Sequence, residues 1–352
     1  MEWIIARWVT FVASLLIAGA CTVGLLFLPR ANTDEATRVA MAREVAQLGI
    51  AATLALIPAT LLRLTDQLLA LQSPGDPVLS GLRPLLTSTT WGTGFLWQCA
   101  AIGPALLGFY GALRAPRAAW CWVIAAVGAV GLCATPALQG HAIGSEESTV
   151  LAVAADVAHV IGASIWLGAL GVIAWLARPV ASDDSVVTTE RRAHADVRLR
   201  TLVPLVPPIA LPGAALLIGS GVIASVLHLR GLSDLWREDW GRYVLAKSIG
   251  VGVIVALGAL NWRRIGPRMA QGASSAVLRK SLAAELVIAL LILLVTAILI
   301  VTPLPGESDD VSRHRLESEH FGLGRSMPAV FEMLALCDRQ QQARAVDHDT
   351  LT

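Results

Sequence analysis

Residues 140–177 read GHAIGSEESTVLAVAADVAHVIGASIWLGALGVIAWLA. A short acidic link with Glu146 and Glu147 gives way to an apolar run, Leu151 to Ala177, whose only ionisable residues are Asp156 and His159. The run exceeds the ~20 apolar residues that a helix needs to cross a bilayer core. Side chains three apart share one face of a helix, so Asp156 and His159 point the same way. Ionisable groups are costly in lipid, and a run that keeps two of them calls for a partner or a function.

The rest of the chain repeats this pattern. Of its 352 residues, 55% are hydrophobic and 15% charged, and the mean hydropathy is +0.65. A soluble domain carries about 25% charged residues. Spans are expected at about Trp8–Leu28, Arg43–Leu64, Trp91–Leu113, Ala119–Leu138, Leu151–Ala177, Leu202–Leu227, Tyr243–Trp262 and Ser281–Thr302. The fold class is therefore all-α, a polytopic bundle of about eight transmembrane helices. A β-barrel would instead show alternating segments of ~10 residues. Tryptophans such as Trp8, Trp91, Trp120, Trp175, Trp236 and Trp262 fall at span ends, where an interfacial belt belongs.

Some local features qualify the outline. The first run is longer than the apolar core of a signal peptide and reads as a retained helix. Pro204, Pro207, Pro208 and Pro212 predict a kinked start to the sixth span. Residues 65–90 read as a loop with an amphipathic beginning, lying along the membrane surface. Residues 303–352 form a polar tail, read as largely disordered.

Lysine and arginine orient the bundle. The connections after odd-numbered spans carry fourteen of them, and those after even-numbered spans carry four. The positive-inside rule puts the odd connections in the cytoplasm and both termini outside. A weak internal repeat supports a two-part organisation. Trp91-Gly92-x-x-x-Leu96-x-Gln98 recurs as Trp240-Gly241-x-x-x-Leu245-x-Lys247, an offset of 149 residues, or four spans. An even number of spans makes the repeat parallel. The expected divisions are 1–150, 151–302 and the tail 303–352. His159 falls opposite Thr10, so the two halves are not chemically equivalent.

Several functions are excluded at this level. Net charge is +1, which offers no electrostatic footprint for nucleic acid. The five cysteines form no C-x-x-C, and four lie in apolar runs, where they read as small buried hydrophobes. None of the five methionines lies deep in a span, so a thioether ladder for Cu(I) is absent. No phosphate-binding loop motif occurs, and no catalytic constellation is visible, so the chain is not read as an enzyme.

Chemistry concentrates near the outer end of the second half. On the charge-based orientation, His141 and His228 sit at the outer rim. Asp156 and His159 lie roughly 8 and 12 Å below the start of the fifth span, and Lys247 roughly 6 Å into the seventh. Asp156 is read either as a metal ligand with His159 or as the ion-pair partner of Lys247. Imidazole and carboxylate together suit Cu(II), Zn(II) or Ni(II). The inner half offers only Glu285, near Asn261, Arg263 and Arg264, where an ion pair is expected.

The motifs Gly140-His141-Ala142, His159 with Trp166-Leu167-Gly168, Leu227-His228-Leu229, Trp240-Gly241-Arg242-x-x-Leu245-x-Lys247 and Asn261-x-Arg263 resemble the copper-resistance protein D (CopD) family. The match is strongest over spans five to eight. The resemblance implies a bacterial inner-membrane protein of copper uptake or tolerance, with His141, His159 and His228 as metal residues. It also implies a separate periplasmic copper-binding donor, since no such domain precedes the first span. Two alternatives remain open: a b-type membrane protein with haem held by His159 and one rim histidine, and a copper-binding or sensing partner without transport.

Overall fold

The computed structural model describes residues 2–72, 77–139, 149–178, 185–229, 231, 233–267, 275–300 and 302. Helix α1 (Glu2–Thr22) continues through a π turn, Val23–Phe27. There follow α2 (Glu35–Ala70), the short α3 (Leu82–Ser88), α4 (Thr90–Arg114) and α5 (Ala119–Gln139). Next, α6 (Thr149–Ala163) and α7 (Ala169–Leu176) are joined by a π turn, Ser164–Gly168, into one span. The remainder comprises α8 (Ser185–Leu202), α9 (Val206–His228), the short α10 (Asp234–Arg237), α11 (Asp239–Leu260) and α12 (Ala276–Leu299).

Eight stretches among the described residues are long and apolar enough to cross a membrane, and they match the eight expected spans. The first is the core of the bundle: 72% of its most apolar window is buried, against 6% for the seventh, which lies at the rim. Residues such as Leu61, Leu107, Val127, Val226 and Leu291 face outward. Large apolar side chains on that surface suit a helix packed in lipid, where all backbone polar groups are met within the helix itself.

Element boundaries depart from the expected ones for physical reasons. Helix α2 begins at Glu35 because Asp34 caps it, its carboxylate accepting from the Thr37 amide at 2.8 Å. It runs 36 residues, absorbing the first part of the expected surface loop. The proline cluster of the sixth span produces a 3-10 turn, Val203–Leu205, between α8 and α9. The polar tail and the rim segment 140–148 lie outside the described residues.

The connections grouped by charge do share one end of the bundle. Arg117 bonds Glu35 at 2.7 Å, Arg198 grips both carboxylate oxygens of Glu44, and Arg279 pairs with Asp196. Each bond ties one arginine-rich connection, or the helix end beside it, to another. At the opposite end Arg7 approaches Asp66 at 3.9 Å and Arg63 donates to the Gln139 side chain at 2.5 Å.

The 149-residue repeat has a structural counterpart. A Cβ on Gly92 would lie 2.1 Å from the Leu85 carbonyl oxygen, and one on Gly241 2.0 Å from the Asp234 carbonyl oxygen. Leu85 and Asp234 are themselves 149 apart, so both copies fold a short helix back onto the first turn of a long one. Gly19 and Gly168 share the offset and pack backbone to backbone, a Cβ on Gly19 falling 2.2 Å from the Gly168 carbonyl carbon. Equivalent residues in direct contact are the mark of a pseudo-two-fold axis, here between α1 and the π turn that follows α6.

Candidate functional site

The site grows from the crossing of α6 and α9. A Cβ on Gly162 would stand 2.6 Å from the Leu217 amide nitrogen and 2.7 Å from the Gly213 carbonyl oxygen, so the two backbones touch there. Small residues are what permit such an approach in a membrane bundle. One turn from the contact, the Cε1–Nδ1 edge of the His159 ring abuts Gly221. A Cβ there would meet His159 Cε1 at 3.1 Å and Nδ1 at 3.3 Å. Ser220 Oγ lies 3.4 Å from His159 Nδ1. Ser220 is buried and its hydroxyl donates to the Leu216 carbonyl at 2.6 Å, leaving its lone pairs to face the ring. Imidazole orientation is therefore set by α9, as second-shell groups set it in metal sites.

Asp156 lies one turn from His159 on α6, and both side chains are half-buried. Lys247 of α11 is within electrostatic reach of both. His159, Asp156, Ser220 and Lys247 thus share one level, ~10–15 Å in from the ends of their helices at ~1.5 Å per residue. Of the rim histidines, His228 is the last residue of α9, which puts its backbone at the same end, though its side chain lies outside the described set. His141 falls within 140–148, also outside it. Among the described residues no group of three or more His, Cys, Asp or Glu converges on one point. The described donor set, one imidazole and one carboxylate, fits part of a copper site by ligand type and needs further ligands to complete it.

Two partners of His159 were not singled out in the sequence: Ser220 and Gly221. Their signal was present in Gly219-Ser220-Gly221, three small residues within an apolar span. In the first half the equivalent of Lys247 is Gln98, buried and donating to Thr60 Oγ1 at 2.7 Å, while the equivalent of His159 is Thr10, bonded to the Ala6 carbonyl. The ionisable groups His159 and Lys247 therefore occur only in the second copy of these two positions. At the basic end the structure revises one expected pair. Glu285 accepts a hydrogen bond from the Asn261 amide, while Arg263 and Arg264 face outward.

Comparison with known proteins agrees with this architecture. Residues 207–299 match the family model for copper resistance protein D, and residues 1–149 match that for the copper resistance protein D-like N-terminal domain. A copper transport protein, CutJ, from Bacillus subtilis (strain 168) is 25% identical over 228 residues, which is 64% of this chain. The aligned region is 39% of that protein, so the chain spans about two-fifths of its relative. No solved structure matches. Two family models across the same eight-span bundle lead to one conclusion: the chain is a multi-pass membrane protein of the copper resistance protein D family.

Proposed function

We propose that this protein carries copper across a bacterial inner membrane from the outer side toward the cytoplasm. The ion lands on His141 and His228 at the rim and passes to His159 and Asp156. The basic end of the bundle faces the cytoplasm in this reading, and both termini lie outside. Residues 151–302 handle the metal and residues 1–150 frame them. A separate periplasmic copper-binding protein delivers the ion. Imidazole and carboxylate ligands favour Cu(II).

One observation carries the reading: the imidazole of His159, oriented by Ser220 at the α6–α9 crossing, with Asp156 one turn away. A family of copper resistance proteins and a relative named for copper transport support copper as the cargo. The test is copper content of the purified full chain, followed by copper entry into liposomes that contain it. Wild type should hold copper and admit it saturably, and His159→Ala should do neither. Unchanged copper content and entry in His159→Ala would overturn the site.

A further inference from the structure

The outer site leaves unexplained a second buried polar cluster, at the basic end. Glu285 is 2% exposed, in the middle of an apolar helix. Its Oε1 accepts from Asn261 Nδ2. Asn261 is itself 9% exposed, and its Oδ1 has no hydrogen-bond partner among the described residues. The same holds for the buried Oγ of Ser281, which lies four residues before Glu285 on the same face of α12. Orphaned acceptors and hydroxyls are costly in such a place, so two of them beside a buried carboxyl are unusual for a merely structural contact.

The described residues around Glu285 offer it no counter-charge. Among the described residues it forms no ion pair. On α12, Arg279 is committed to Asp196 and to the Ala177 carbonyl, and Lys280 stands at the helix start. From the turn after α11, Arg263 and Arg264 face outward. Helix α7 carries no titratable residue, and α1 offers only Cys21 along its facing stretch, with Arg30 bonded to the Leu26 carbonyl at its end. A buried carboxylate without a cation is expensive, so the group is stable here when it carries a proton. Asn261 opens a π turn, Asn261–Ile265, at the end of α11 nearest the basic surface. Such turns loosen the backbone ladder and occur often at functional sites.

We propose that Glu285, with Asn261 and Ser281, is a proton-exchange site that couples to metal passage. The coupling rests on the transport reading above; the proton site does not. The step is an acid dissociation. The Glu285 O–H bond breaks, the proton passes to water at the basic end, and the Asn261 amide N–H steadies the carboxylate left behind. Reprotonation reverses it. The site lies ~14 Å along α12 from its first residue, below the level of His159, and gives the bundle an ionisable station where metal ligands are few.

The experiment uses the full chain in liposomes with two readouts. The first is modification of Glu285 by a lipid-soluble carbodiimide, which attacks protonated carboxyls, read by mass spectrometry. Labelling should fall at least about fivefold from mildly acid to mildly alkaline pH, as a titrating acid requires. No label at any pH, a label indifferent to pH, or protection by sodium at constant pH would each overturn the proton site. The second readout follows copper entry and internal pH together. Wild type should move protons with copper, and Glu285→Gln should lose the proton movement and slow copper entry at least about tenfold. Copper entry at the wild-type rate in Glu285→Gln would overturn the coupling. A pH-dependent label with no copper entry even in wild type would support the proton site and sink the transport reading instead.

Discussion

Gly19 and Gly168, 149 residues apart in the chain, cross with their backbones in contact at the centre of the bundle. Neither has room for a Cβ. One on Gly168 would lie 2.3 Å from the Leu15 carbonyl oxygen, and backbone cannot yield as a flexible side chain can. Gly19→Ala or Gly168→Ala should therefore force the central helices apart and cost roughly 1–3 kcal/mol, the usual range for overpacking. Thermal unfolding in detergent measures it. Gly252→Ala is the control, since nothing lies within 4 Å of a Cβ there and no proline follows it. That change should be neutral or stabilising by up to about 1 kcal/mol from helix propensity alone. Equal effects at the crossing and at Gly252 would remove the case for a tight pseudo-two-fold contact.

A second expectation concerns the imidazole. Ser220→Ala removes the group beside His159 Nδ1 without touching a proposed ligand. Loss of a second-shell partner commonly weakens metal affinity by roughly 10–100-fold. Gly221→Val should act more strongly, because a side chain there drives into the Cε1–Nδ1 edge of the ring. Both are read by copper titration of the purified protein. If the two variants bind copper as wild type does, His159 is not held for a metal by α9.

Much of this was legible beforehand, and the reason is the membrane. Runs of ~20 apolar residues leave few choices of secondary structure, so Leu151–Ala177 and its counterparts announced their helices directly. Arginine counts likewise grouped the connections, and the Glu35–Arg117 and Glu44–Arg198 bonds show the groups meeting at one end. The pairing of helices was less accessible. Gly162 meets Gly213 and Leu217 across more than fifty residues of chain, and no periodicity in either span encodes that contact. Ser220 was passed over for the same reason: a serine in an apolar helix usually bonds its own preceding turn, as Ser220 also does. Glu285 was assigned an arginine because charges in membranes usually pair, whereas its partner is the neutral Asn261 amide.

The cap on α2 carries a dependence on pH. Asp34 is fully exposed and lies outside the spans. Its carboxyl is held below the ordinary value, first by the Thr37 hydroxyl and next by the Thr37 amide. A lowered folded value means that the cap contributes stability above the normal carboxylate range. That contribution is lost as the pH falls through the folded value. Asp34→Asn keeps an acceptor for the Thr37 amide and removes the titration. Asp34→Ala should fray the first turn of α2 at all pH values. Hydrogen exchange of residues 35–38 would report it, with acid-dependent protection in wild type, pH-independent protection in Asp34→Asn and none in Asp34→Ala. Acid-dependent protection persisting in Asp34→Asn would show that another group sets it.

The two readings of Asp156 can be separated through Lys247. The residues are electrostatically linked across α6 and α11, so removing either charge alone leaves the other in a poorly solvated place. Asp156→Asn and Lys247→Met should each destabilise the protein, and the double variant should recover part of the loss. Coupling of about 0.5–3 kcal/mol is the range for groups in one such network. Stability alone reports the ion pair, so the second measurement is copper content across the same four proteins. If Asp156 serves the metal, Lys247→Met retains copper or holds it more tightly, having lost a competing cation, while the double variant folds yet binds copper weakly. If Asp156 serves only Lys247, the double variant binds copper as wild type does, and Asp156 leaves the ligand set.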